Sequence, residues 1–170
     1  MKRTVKYTLI YAGLFYLVLI LTSLIASQVF STSSLAPIRE QIKQQLSENL
    51  AKIMNSRWPW LEIYINNLKW AVLMALPYLG LFIFFFVTMS TGIALGATMS
   101  TISITHRLIG IISLFLPHGI LESIAYGLAL YAAVNGRKLS YSLKTAVYVA
   151  FILFIAAVVE YAEIVFLPKP

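Results

Sequence analysis

The residues best suited to chemistry in this 170-residue chain lie inside its apolar runs, where ionisable groups are least expected. Pro117, His118, Gly119 and Glu122 interrupt one such run, and Glu160 and Glu163 fall late in another. An ionised carboxylate at the centre of a bilayer costs about 2.5–3.5 kcal/mol on insertion scales, so an embedded glutamate calls for a partner or a proton. The chain has no aspartate, and its other glutamates, Glu40, Glu48 and Glu62, sit in more polar stretches. At ~1.5 Å per helical residue Glu122 lies about 20 Å from Asn135 and Glu160 about 22 Å beyond Thr145, nearly the same depth. If the two helices are antiparallel neighbours, the carboxylates can share a proton, a cation or a hydrogen-bonded histidine.

His118 and Glu122 are four residues apart and share a helical face, which Tyr126 continues. Gly119, Ser123 and Gly127 form an adjacent stripe of small residues suited to close helix packing. Two readings stand side by side: an ion or proton site made by His118, Glu122 and Glu160, or a neutral network of protonated glutamates bonded to backbone groups freed by the break. Glu163, nearer the helix end, is expected to reach headgroup water. One of Asn66 and Asn67 is expected to cap the start of a span, and His106 to be an ordinary interfacial residue in a loop.

These residues need membrane helices to position them. Hydrophobic residues make up 60% of the chain and charged ones only 11%, which excludes a disordered tail or a soluble enzyme with one conventional core. The net charge of +7 shows no basic stripe or zinc-ligand spacing, so nucleic acid is not the expected partner; the cations flank apolar runs instead. Without cysteine there is no disulfide framework, thiolate metal site or cysteine nucleophile, and neither metal nor cofactor is expected.

Tyr7–Phe30 is long enough for a full span, which we read as a retained anchor. Leu35, Ile38, Ile42, Leu46, Leu50, Ile53 and Met54 recur at helical spacing, predicting an amphipathic helix on the membrane surface or against the spans, with Ser34 as its cap and Pro37 in its first turn. Trp58, Trp60 and Tyr64 suit headgroup depth. The uncharged stretch from Trp70 to Thr105 exceeds one straight span; Pro77 and Gly80 predict a kinked or tilted helix ending near Thr98, followed by a turn at His106 and Arg107. Gly92 and Gly96 form a GxxxG step that lets another helix approach. Leu108–Val134 reads as a helix broken at Pro117 and Gly119, and Thr145–Leu167 as the last span, stopped by Pro168. The expected fold is all-α: a polytopic bundle of about four spans, the third broken. Its parts are an anchor helix over 1–30, an amphipathic interfacial segment over 31–66 and a three-span membrane domain over 67–170.

At Pro117, His118, Gly119 and Glu122 the chain resembles the stage II sporulation protein M family, marked by an embedded PHG segment with a glutamate soon after. The resemblance extends to Asn66 and Asn67 before a long apolar helix, to the pair Gly92 and Gly96, and to Glu160 followed by Pro168. Thr91, where the family pattern has asparagine, and Ser123–Ala125 depart from it. The resemblance implies a polytopic membrane protein that works in an assembly with other membrane proteins, and implies no catalytic activity.

The leading functional expectation is a noncatalytic membrane scaffold, because GxSxG, HExxH and phosphate-binding glycine loops are all missing from the sequence. The alternative is a small ion or proton transporter or channel, which with four spans would need to be a homo-oligomer. A third, an intramembrane metal-dependent hydrolase using His118 and Glu122, lacks an activated nucleophile. Partners are expected to be the bilayer and either a second copy or other membrane proteins. Four spans would place Lys2, Arg3, Lys6, Arg107 and Lys169 on one side and Arg39, Lys43, Lys52, Arg57, Lys69, Arg137, Lys138 and Lys144 on the other. That count favours an outside N-terminus in the cell membrane, but the dense basic flank of the first helix favours a cytoplasmic one, which is the expectation.

Overall fold

The computed structural model describes residues 2–135 and 139–166, and all seven helices among them pack as one bundle. Gly136, Arg137 and Lys138 of the expected basic loop, and Pro168 and Lys169 after the last span, lie outside the described residues. The long apolar runs become α1 (Lys2–Val29), α4 (Gly80–Met99) and α7 (Leu139–Phe166), each long and apolar enough to cross a membrane. A fourth crossing is available if α5 (Ile104–Ser113) and α6 (Pro117–Asn135) are one span, bent by 57° at its break.

The polar segment after α1 forms a short 3₁₀ turn, Ser33–Leu35, and then α2 (Ala36–Met54). Pro37 sits in the first turn of α2, where its missing N–H costs nothing. Ser34 does not cap that helix: it lies inside the 3₁₀ turn, and its hydroxyl meets Thr32 Oγ1 at 3.4 Å. The first half of α2 is pinned at the end of α1, with Leu35 and Ile42 against Phe30, Ala26 and Ala97. Arg39 also donates to the Phe30 carbonyl and Lys43 to the Thr101 hydroxyl, at 3.1 and 2.7 Å.

The single kinked helix expected from Trp70 to Thr98 is instead two helices. α3 (Pro59–Met74) ends before Pro77, and α4 starts at Gly80. Between them Tyr78 adopts a left-handed φ of 67°, and the Leu79 N–H bonds the Pro77 carbonyl at 2.8 Å. Such a φ is uncommon for a side-chain-bearing residue and is accepted here because it closes a tight turn. A Cβ on Gly80 would fall 2.0 Å from the Met74 carbonyl oxygen and 2.4 Å from Ala133 Cβ, so only glycine lets the chain double back this closely. His106 and Arg107, expected in a turn, belong to the first turn of α5, which Ser103 caps.

This reversal changes which ends share a side. Phe15 meets Phe84, Leu19 and Thr22 meet Gly92, and Ser23 and Ala26 meet Gly96, so α1 and α4 run parallel. α6 runs against α1, with Tyr131 beside Tyr7, Gly127 on Thr8 and Ala12, and Gly119 near Tyr16. Arg39, Lys43 and Arg107 therefore gather at the end where α1 finishes, opposite Lys144, and the charge grouping expected from four alternating spans does not hold. The cause is α3, which carries the chain back along the bundle within an apolar stretch that composition alone counts as one element.

The α1–α4 seam is made of small residues. A Cβ on Gly92 would lie 2.7 Å from Thr22 Cβ, and one on Gly96 would lie 2.5 Å from Ala26 Cβ. The GxxxG step is thus filled by the chain's own first helix. The core beneath it joins Phe15 and Leu19 to Ala71, Met74, Phe84, Leu130, Val149 and Leu153.

Two predictions follow from this packing. In the naturally cysteine-free chain, Thr32→Cys and Thr105→Cys should label with a membrane-impermeant maleimide from the same side, and Lys144→Cys from the other; labelling of Thr32→Cys and Thr105→Cys from opposite sides would contradict the parallel α1–α4 pair. Gly96→Leu should lower stability by about 1–3 kcal/mol through overpacking, measured by thermal or denaturant unfolding in detergent, whereas Gly13→Ala, with open space around it, should leave it unchanged.

Candidate functional site

The site is built around the break between α5 and α6. Proline at 117 has no N–H to offer the preceding turn, so the helical ladder stops, and Leu116 bonds Ser113 in a tighter turn at 3.1 Å. A freed carbonyl within a membrane must find another donor. For Leu114 that donor is the Tyr16 hydroxyl on α1, at 3.1 Å. Gly119 completes the arrangement, because a Cβ there would be 2.3 Å from the Leu114 carbonyl oxygen. The break thus lies at Leu114–Leu116, with Pro117 opening α6 and Gly119 allowing the close return. Tyr16 stands about halfway along α1, so the break lies near mid-bundle.

From the first turns of α6, His118 and Glu122 project toward α7 and α3. His118 Nδ1 shares a short hydrogen bond with the Glu163 carboxylate. Asn67 Nδ2 on α3 donates a short hydrogen bond to Glu122. Three helices are thereby tied at one level, through side chains that are mostly withdrawn from the surface: His118 is 21% and Glu163 14% exposed. Glu160, one turn before Glu163, is near enough to Glu122 and His118 to act on them electrostatically, but among the described residues it makes no hydrogen bond. The other Glu163 oxygen, Oε1, is buried without a partner among the described residues. Tyr126, one turn further along α6, is buried in the core with its ring 5.4 Å from Phe15 and makes no hydrogen bond to the cluster among the described residues. Ser123 is buried and returns its hydroxyl to the Ile120 carbonyl at 2.8 Å, while Gly127 packs on the α1 backbone, where a Cβ would be 2.5 Å from the Thr8 carbonyl oxygen.

Two expectations are corrected here. Glu163 does not turn to headgroup water, since the antiparallel pairing of α6 and α7 sets it against His118. Neither Asn66 nor Asn67 caps a helix: α3 begins at Pro59, and both lie well inside it. Asn67 falls on the stripe that also carries Tyr64, Ala71 and Met74, so a polar residue on an otherwise buried face was its sequence signal. Glu163 had a similar signal, standing three residues from Glu160 on the same face.

Chemically, the cluster can hold or pass protons, and its carboxylates and imidazole can pin helices. No group of three or more histidine or acidic side chains among the described residues is placed to hold a metal ion.

Fold and site together define a multi-pass α-helical membrane protein with a polar centre inside its bundle. The model of the stage II sporulation protein M family matches residues 8–161, and the chain belongs to that family. No curated protein and no solved structure matches it.

The Asn67–Glu122 bond should be measurable as a coupling. In a double-mutant cycle of Asn67→Leu and Glu122→Leu, unfolding in detergent should give an interaction energy of about 0.6–2 kcal/mol, the range of interhelical polar bonds in membranes. Strict additivity would mean that the pair does not join α3 to α6.

Proposed function

We propose that the protein is a noncatalytic membrane scaffold whose embedded His/Glu/Asn network sets the register of α3, α6 and α7, so that its outer faces are presented rigidly to a second copy or to other membrane proteins. The observation that carries this reading is the pairing across helices: Glu122 with Asn67 and Glu163 with His118. Interhelical bonds of this kind contribute to packing without any transported ion. Because α1 already fills the Gly92–Gly96 seam, recruitment falls to other faces. α5 is one, with Ile104, Leu108 and Ile112 exposed along it. We place the N-terminus in the cytoplasm, since Lys2, Arg3 and Lys6 crowd the flank of the first helix, which usually dominates orientation, and Lys144 lies at the same end.

A proton or cation transporter is the second reading, favoured by Glu163 Oε1 and by the Glu160 carboxylate, neither of which has a hydrogen-bond partner among the described residues. Embedded ionisable groups beside a broken helix are the usual material of such sites.

One experiment separates the two. Purified protein in liposomes should pass no more protons or monovalent cations than empty liposomes, with Glu160→Gln identical to the parent. Cross-linking between two differently tagged copies, or to neighbouring membrane proteins, should survive Glu122→Gln, which can still accept from Asn67, and fall in Glu122→Leu. Flux above background that Glu160→Gln abolishes would replace the scaffold with the transporter.

A further inference from the structure

Away from the embedded cluster, α2 and α3 form a hairpin whose two arms do not close on each other. The first half of α2 is held at the ends of α1 and α4, and its second half stands off α3 across a cleft of about 580 Å³. That volume is within the ~300–1,000 Å³ typical of small-molecule sites. Lys52 and Lys69 line it from opposite arms, with Asn49, Ser56 and Asn66 as neutral hydrogen-bonding groups and Glu62 as its one acid. Neither lysine is in an ion pair among the described residues, and the Ser56 hydroxyl is buried with no partner. Polar groups so placed are unfinished from within the chain.

The rest of the cleft is apolar. Leu46, Ile53 and Ile65 contribute its walls, and Leu46 and Ile65 continue onto the exposed surface at 38% and 51% exposure. At the hairpin bend Trp58 and Trp60 lie edge to face, 6.2 Å apart. Trp60 also packs edge to face on Phe154 of α7, at 5.8 Å, so the base of the hairpin is fixed to the bundle. A cleft with cationic donors inside and apolar walls leading outward to the exposed surface of the bundle matches one chemistry: a phosphate ester on an acyl-chain stem.

We propose that the α2–α3 cleft binds the headgroup of an anionic glycerophospholipid of the phosphatidylglycerol type. Its phosphate is held by the Lys52 and Lys69 ammoniums, and its glycerol hydroxyls reach Glu62, Asn49 and Asn66. Two lysines and one glutamate leave the cleft one positive charge in excess, which a singly charged anionic lipid neutralises and a zwitterionic one does not. The acyl chains follow Leu46 and Ile65 into the bilayer. Bound lipid would complete the hairpin and fix the otherwise loosely joined second half of α2 against α3. The inference is independent of whether the embedded cluster serves packing or proton transfer.

Native mass spectrometry of the full chain released from detergent tests it, with phosphatidylglycerol, phosphatidylethanolamine and glycerol 1-phosphate as separate additives. The parent should retain one phosphatidylglycerol in preference to phosphatidylethanolamine. The double variant Lys52→Gln/Lys69→Gln should lose retention by roughly tenfold, as expected for removing charge-assisted bonds to phosphate. Lys52→Arg/Lys69→Arg should keep it, since the charge survives, and Lys144→Gln, at the opposite end, should match the parent. Unchanged retention in the glutamine double variant would show unspecific lipid around the bundle and overturn the site. Equal retention of both lipids would overturn the charge assignment. Displacement of the lipid by equimolar glycerol 1-phosphate would overturn the lipid in favour of a soluble phosphate ester. Thermal unfolding of each variant without lipid, matching the parent, excludes misfolding as the cause of a loss.

Discussion

The rest of this structure depends on a backbone opened inside a membrane. Proline 117 ends one helical ladder near mid-bundle, and lipid offers no hydrogen bond to the groups it frees. The Tyr16 hydroxyl satisfies the Leu114 carbonyl from α1, which requires α1 to pass close to the break. Close passage in turn requires the absence of side chains, and Gly119 and Gly127 supply it along α6. One open carbonyl thus constrains two helices and the residues between them.

The bend has a second consequence. It aims the first turns of α6 at α3 and α7, so that His118 and Glu122 are met by Glu163 and Asn67 instead of by lipid. An ionised carboxylate left alone there would be costly, and Glu122 and Glu163 each have a partner within hydrogen-bonding reach. Proximity to the break and the demand for partners are therefore one physical problem. The His118–Glu163 and Asn67–Glu122 bonds join α6 to α7 and to α3 close to the break.

Close packing of small residues plays the complementary part. In hydrocarbon, helices gain little from hiding apolar surface from one another, so attraction depends on close approach and on polar bonds. Gly92 and Gly96 on α4, seated on Thr22 and Ala26 of α1, provide the approach, and the His/Glu/Asn cluster provides the bonds. Neither device needs a soluble core. α2, whose residues are all at least partly exposed, is held mainly by its first half, and that uneven attachment is what leaves the cleft against α3.

Much of this was legible in residue types alone. Runs of apolar residues establish membrane helices because length and hydropathy are local properties, and the interruption at Pro117, His118, Gly119 and Glu122 declares a broken span and an embedded polar site. What residue types could not decide was pairing. That His118 bonds Glu163, that Glu122 bonds Asn67, and that Pro77 with Gly80 reverses the chain instead of kinking it are matters of which helices become neighbours. Neighbours are selected by close contacts between residues distant in sequence, such as Gly80 with Ala133 and Gly96 with Ala26. A single reversal at Gly80 also changes which end of the bundle every later charge occupies, so a local turn that composition barely marks decides the topology of the whole chain.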